Sequence, residues 1–422
     1  MLRTLLLSLL FTCSVDTTAQ VSGGTLPPWE RGFLDIHHIN TGRGDAVFLI
    51  FPDGTTLLID AGDMSATHPR TTSSRNAPQV PNVDKTAPQW IADYIFQFFP
   101  WQLKRQLDFA LITHYHDDHF GELDSLRSRH KGGYYLTGIT EVGSLLPIRK
   151  LLDRGHEYPI DLKSRPIQNQ ERFLKDPYGM IPTLKNYWDF IAFQATENGL
   201  VHETLQVGST SQIHLVHEPA TYPEFYVRNI LSNGILWTGE KEHTFSLFAA
   251  GEYPGENPLS NGIKITYGMF DYFTGGDISG IDAHGGTDMD AVESHVAPVI
   301  GPVDVATLNH HGNRDSQNSF YVRTIRPRVW IQQNWTADHP GEEVLRRITS
   351  RELYPGDRDI FSTVMLKGAK EVIGDRLNSY SSQEGHVVVR VFPAGNSYEV
   401  FVLNDKSATR NVLSKHGPYE SR

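Results

Sequence analysis

The chain has 422 residues, with 38 Lys and Arg against 49 Asp and Glu, a net charge of −11, and a single cysteine, Cys13. The acidic balance offers no overall basic surface for long nucleic acid. One cysteine excludes an intrachain disulfide and a zinc site built on cysteines.

The first 19 residues read as a secretory signal: Arg3, an apolar run from Leu5 to Phe11, then small residues, with cleavage expected after Ala19. That run is too short to span a bilayer, and no second run of spanning length follows. Export is therefore expected, secreted or periplasmic, with lipid anchoring at Cys13 as the alternative. About 400 residues remain, enough for two ordinary domains or one elaborated one, and no internal repeat divides them.

LDIHHIN (34 to 40), AVFLIF (46 to 51) and TLLID (56 to 60) are apolar runs of strand length separated by Gly and P-D-G turns, which predicts a meander. Residues 63–88 are polar, rich in Pro, Thr and Ser, and too long for an ordinary connection; they are expected to form a functional rim or a mobile loop. WIADYIFQFF (90 to 99) predicts a short helix stopped by Pro100. DFALIT (108 to 113) predicts a buried strand. Between about 130 and 260 the pattern is weak, with a helix expected at 184–195 and a short strand at SQIHLVH (211 to 217). Strands and helices then alternate. Strands are expected within 263–277, 303–312 and 328–333, helices near 287–297, 316–325 and 341–350, and a final hairpin turns at P-A-G-N (393 to 396).

The buried strand at 108–113 runs straight into T-H-Y-H-D-D-H-F-G-E (113 to 122). His114 and His116, two apart in a loop, can converge on one cation, leaving Asp118 and His119 free to turn toward a second. Imidazole and carboxylate suit Zn²⁺ and also tolerate Mn²⁺. Two such ions roughly 3.5–4 Å apart can clamp a phosphoryl or carbonyl oxygen. Asp277, ending T-G-G-D, and His310 and His311, in N-H-H-G, occupy the same architectural position at the ends of later strands. The three recurrences point to one metal site assembled from distant segments.

These residues carry a family resemblance. H-I-N-T-G-R-G-D-A (38 to 46), L-L-I-D-A-G (57 to 62), THYHDDHFGEL, FTGGD and ATLNHHGNRDS resemble, in order, the motifs of the metallo-β-lactamase superfamily. Within it, the pairing of G-R-G-D with H-H-G is similar to the branch related to the hydrolase domain of ComEC/Rec2 DNA-uptake proteins. The resemblance implies an α+β fold, a four-layer αββα sandwich, over residues 20–422, with insertions near 63–88 and 130–260. It implies two metal ions, His114 and His116 on the first, Asp118 and His119 on the second, Asp277 bridging, and one of His310 and His311 completing the second. His310, nearer the strand end, is the first choice. Many members place a further histidine ligand before the bridging aspartate. Here His202, His214, His217 and His243 are available and none announces itself, so the first metal's shell is left thin.

By the same resemblance Asp60 sits under the site and orients a ligand histidine, with Asp45 a similar candidate. His37 and His38 fit strand packing better than metal binding. The basic stretches at 127–131 and 346–351 fit solvated helix ends better than anion binding. The expected activity is metal-dependent hydrolysis in which water, deprotonated near neutral pH by the cations, attacks the substrate and Asp118 steers it. The branch points to a small or locally bound phosphodiester. Hydrolysis of a β-lactam or lactone, or a non-catalytic metal-binding module, are the alternatives.

Overall fold

The computed structural model describes residues 23–164 and 179–422; the expected signal segment, with Cys13, lies outside the described residues. The meander forms as three strands, β1 (Leu34–His38), β2 (Val47–Ile50) and β3 (Thr56–Ile59), each buried along its length. Three more follow them into one sheet: β4 (Leu107–Leu111), β5 (Ile148–Asp153) and β6 (Val201–Thr204). The second sheet takes β7 (Phe225–Ser232), β8 (Ile235–Trp237), β9 (Thr244–Ser246), β10 (Gly262–Tyr267), β11 (Phe270–Thr274), β12 (Val305–Thr307), β13 (Val329–Gln332), β14 (Asp359–Ser362) and β15 (Tyr380–Ser382). The chain then returns to the first sheet with β16 (His386–Val391), β17 (Ser397–Leu403) and β18 (Val412–Glu420).

Both sheets have nine strands, ordered β18-β17-β16-β1-β2-β3-β4-β5-β6 and β15-β14-β13-β12-β11-β10-β7-β8-β9. Each is antiparallel over one part and parallel over the other: β3 to β6 are parallel in the first, and β11 to β15 in the second. Parallel strands end on the same edge, so the loops after β3, β4, β11, β12 and β13 have carboxyl-end positions where open sheets hold their chemistry.

Three apolar cores separate four layers. One lies between the sheets, where Ile36, Leu49 and Leu57 meet Val227, Ile265 and Ile331. A second packs the first sheet, through Phe48, Leu58 and Ala110, against Ile91, Val142 and Phe190. Those side chains come from helices α1 (Ala87–Phe98), α2 (Gly138–Leu145) and α3 (Met180–Asn198). The third packs Phe273, Ala306 and Trp330 of the second sheet against α4 (Val292–Ile300), α5 (Ser319–Ile325) and α6 (Glu342–Ile348). This is the expected αββα sandwich. No described helix is long and apolar enough to cross a membrane.

Local chemistry explains where expectation and structure differ. Helix α1 starts three residues before the expected 90 because Thr86 and Gln89 close a capping box, with Pro88 in the first turn. The strand expected at 211–217 does not form. Ile213 and Leu215 do turn into the intersheet core, but the backbone N–H groups of Val216 and His217 donate to the side chains of Thr55 (2.7 Å) and Asp53 (2.9 Å), not to a neighbouring strand. The 263–277 run is a hairpin of two strands, turning at Gly268, whose φ is +57°. Arg127 is not at a solvated helix end: its side chain is 8 % exposed and pairs with Asp63 at 2.6 Å.

Candidate metal centre

The carboxyl ends of β4, β11 and β12 bring the distant motifs together. Asp118, His119, Asp277 and His311 form one group, and His114, His116 and Asp277 another, the donor atoms of each group lying within 4.8 Å of one another. Asp277 belongs to both. Its Oδ2 is 3.7 Å from His114 Nε2 and 3.5 Å from His311 Nε2, while Oδ1 is 3.3 Å from His119 Nε2. His311 Nε2 lies 3.1 Å from Asp118 Oδ2.

Of the two adjacent histidines, His311 is the one whose ring reaches these donors. His310 joins neither group. Its Nδ1 turns to Asp315 at 2.7 Å, and its Nε2, 3.9 Å from Asp277, meets the amides of Asn257 and Asn313. Both residues are left-handed, His310 at φ 47° and His311 at φ 54°, and the second ring, not the one nearer the strand end, faces Asp118. Holding two non-glycine residues there costs roughly 1–3 kcal/mol each. Of the other histidines, His202 pairs with Asp153 at 2.8 Å, His217 lies 3.6 Å from Asp108, and His214 and His243 are exposed. His37 and His38 are buried in β1 and meet Tyr94 and Gln333.

The glycine motifs shape this centre through backbone contact. Asp45 N–H donates to Asp118 O at 2.7 Å, Ala61 N–H to His119 O at 2.7 Å, and Asp63 N–H to Asp117 O at 3.0 Å. The loops after β1 and β3 therefore lie flat against the histidine turn. A Cβ on Gly62 would stand 2.2 Å from Asp118 O and 2.6 Å from Gly44 Cα. Gly62→Ala is accordingly expected to cost roughly 1–3 kcal/mol in urea unfolding and to lower bound metal. An unchanged midpoint and metal content would show that the turn can yield.

Carboxylates orient the rings. Asp60 accepts from His119 Nδ1 at 2.8 Å and from the Thr113 hydroxyl at 2.6 Å, so His119 presents Nε2 inward. Asp45 Oδ1 stands 3.2 Å from His311 Nδ1, which also meets Gln333 O at 3.2 Å. Such partners fix the tautomer of a ligating histidine.

The donor set fits a pair of cations. The inward Nε2 atoms of His119 and His311 are buried and make no hydrogen bond, despite the nearby carboxylates. His114 Nε2 and His116 Nδ1 face each other at 3.1 Å. Burial disfavours charge on His119, but Asp277, Asp118 and Asp60 outweigh it and raise its pKa well above the ordinary range. His311 is raised likewise against burial by Asp277 and Asp45. In the metal-free centre these protons neutralise the carboxylates, and each ring must shed one to bind metal. Affinity should therefore rise with pH, with proton release at neutral pH. Calorimetric titration in buffers of different ionisation heat measures the release, and a value of zero would contradict this electrostatic arrangement.

A cavity of about 660 Å³ opens over the centre, lined by His116, Asp118, Asp277, His310 and His311. Part of the 63–88 stretch forms one wall, with Ser73, Arg75 and Asn76 facing Trp335, Asp338 and His339. Ala77 N–H donates to Trp335 O and Ala337 N–H to Arg75 O, both at 2.7 Å, which binds this stretch to the loop after β13. His339 stacks on His311 with ring centroids 5.4 Å apart. Sequence reasoning missed Asn257, Trp335 and His339. A strand end at 333 was the one available signal for the last two.

No family model matches this chain, and no curated protein does. Solved structures similar to it include a CmlA β-hydroxylase carrying a point substitution, 12% identical, with a TM-score of 0.35. That match covers 87% of this chain and 55% of the hydroxylase, so this chain spans little over half its length. Zn²⁺-bound PqqB from Methylobacterium extorquens is also similar, 10% identical with a TM-score of 0.36, over 84% of this chain and 99% of that one.

Proposed function

We propose that this chain is a metal-dependent hydrolase acting on a phosphodiester. The observation that carries the reading is Asp277 shared by two groups of inward-facing His and Asp donors at the floor of an open cavity. A structural zinc site is closed by protein ligands, whereas an open cavity leaves room for substrate. Two cations, when bound, lower the pKa of water and neutralise charge on the attacking and leaving oxygens. Asp118, which faces the same donors, would orient that water. Arg75, which pairs with Asp338, and Asn313 both line the cavity and offer donors suited to a phosphate oxygen. The pairing of G-R-G-D (42 to 45) with N-H-H-G (309 to 312) resembles the ComEC/Rec2-related branch and supports a phosphodiester over a β-lactam. The overall charge of −11 supports a small or locally bound one.

Bis-(p-nitrophenyl) phosphate and a chromogenic cephalosporin, assayed side by side with Zn²⁺ or Mn²⁺ and again with chelator, test the proposal. Chelator-sensitive turnover of the phosphodiester alone is expected. Turnover of the cephalosporin alone would overturn the substrate class, and turnover of neither by fully metallated protein would overturn the assignment to phosphodiester hydrolysis.

A further inference from the structure

The two groups of donors are unequal. Asp118, His119, Asp277 and His311 supply four side chains, whereas His114, His116 and Asp277 supply three, and no further His, Cys, Asp or Glu among the described residues joins them. Resting on the reading of this centre as a metal site, we propose that the side-chain oxygen of Asn257 is the remaining protein ligand of the cation held by His114, His116 and Asp277.

Asn257 lines the cavity beside His116 and Asp277. Its Oδ1 is buried and meets no hydrogen-bond donor. An unsatisfied buried carbonyl costs roughly 1–3 kcal/mol, and an ion is one of the few things that explain it. The orientation of the amide follows from its neighbours. Asp315 engages His310 Nδ1 at 2.7 Å, which leaves Nε2 to accept, and it accepts from Asn257 Nδ2 at 3.1 Å and Asn313 Nδ2 at 3.3 Å. With the nitrogen committed, the oxygen is turned away from His310.

The backbone is held just as firmly. Glu256 is fully buried, accepts from Arg154 Nε at 2.6 Å and Nη2 at 2.8 Å, and takes the N–H of Tyr115 at 3.0 Å. Tyr115 is the residue between His114 and His116. Asn257 is thus tied to the paired histidines through its neighbour Glu256, and it bonds His310, whose backbone N–H donates to the carbonyl of Gly276, the residue before Asp277, at 3.1 Å. Asn257 follows Glu256 and opens a short 3₁₀ turn, Asn257–Leu259, stopped against Ser260, whose hydroxyl accepts from Asp277 N–H. An amide oxygen is a neutral, hard ligand, and its presence shifts the site toward Mn²⁺ compared with an all-histidine shell.

The test uses equilibrium dialysis against graded Zn²⁺ and Mn²⁺ with elemental analysis, on the whole chain and in an Asp118→Ala/His311→Ala background, where the second group keeps only His119 and Asp277 and the remaining metal reports the first. Asn257→Ala should weaken that metal about 10–100-fold. Asn257→Asp, which keeps an oxygen, should restore it, and Asn257→His should raise the preference for Zn²⁺ over Mn²⁺. Undiminished affinity in Asn257→Ala would overturn the proposal. So would failure of Asn257→Asp to restore binding while thermal melting stays unchanged, since Asn257 would then act only through His310. If Asn257→Ala does not fold, the Asp and His variants decide the matter. Should the unsubstituted chain bind no metal, the reading of the whole centre fails, and that result is distinct from two bound metals that ignore Asn257.

Discussion

Asp277→Ala is expected to remove metal from both groups at once and to lower hydrolysis by roughly 10³-fold or more. Asp277 is the one residue common to the two groups, and its two oxygens face different rings, Oδ2 toward His114 and His311 and Oδ1 toward His119. Its carboxyl is fully buried, which opposes ionisation, yet His119 and His311 outweigh that and hold its pKa well below the usual carboxylate range. Those rings therefore favour its ionised form, the form a cation would need. Elemental analysis of the variant, with circular dichroism to confirm the fold, checks the expectation. Loss of one metal only would assign Asp277 to a single ion, and unchanged metal content would dismantle the arrangement.

Glu256→Ala should produce the largest loss of stability. Arg154 and Glu256 are each 1 % exposed, and the substitution strips a guanidinium of its only carboxylate, leaving it the Asn233 amide oxygen and the face of the Tyr115 ring. Breaking a buried pair in this way costs roughly 3–5 kcal/mol, whereas replacing both partners by apolar residues can be nearly neutral. Urea unfolding of Glu256→Ala and of Arg154→Met/Glu256→Leu should therefore show a deep loss and substantial recovery. A loss below about 1 kcal/mol in the single variant would mean that water or a local shift accommodates the charge. The pair lies beside the H-Y-H turn, so the single variant should also lose metal from the first group.

The histidine turn was legible because its chemistry is consecutive: five metal-capable residues stand within 114–119 at the end of an apolar strand. Asp277 and the His310–His311 pair were legible for the same reason, each following a recognisable strand. The glycine motifs stand out in the sequence, but what they do, letting two loops touch the back of Asp118, needs the third dimension. The choice between His310 and His311 turns on two left-handed residues, a tertiary constraint with no local signature. Asn257 and Arg154 belong to the 130–260 stretch, where periodicity is weak. Their importance comes from contacts with residues 53 and 102 positions away, which no spacing rule reports. Strand β18 escaped notice because Ser414, Lys415 and His416 break the apolar pattern of an edge strand.

We propose that the residues of the histidine turn, Asp277 and His311 hold two cations over one shared carboxylate. Anomalous diffraction at the zinc edge from metal-soaked crystals addresses it most directly. Two peaks roughly 3.5–4 Å apart are expected, one beside His114 and His116, the other beside Asp118, His119 and His311, with Asp277 between them. A single peak away from Asp277, or none at all in protein soaked with excess Zn²⁺, would contradict the account.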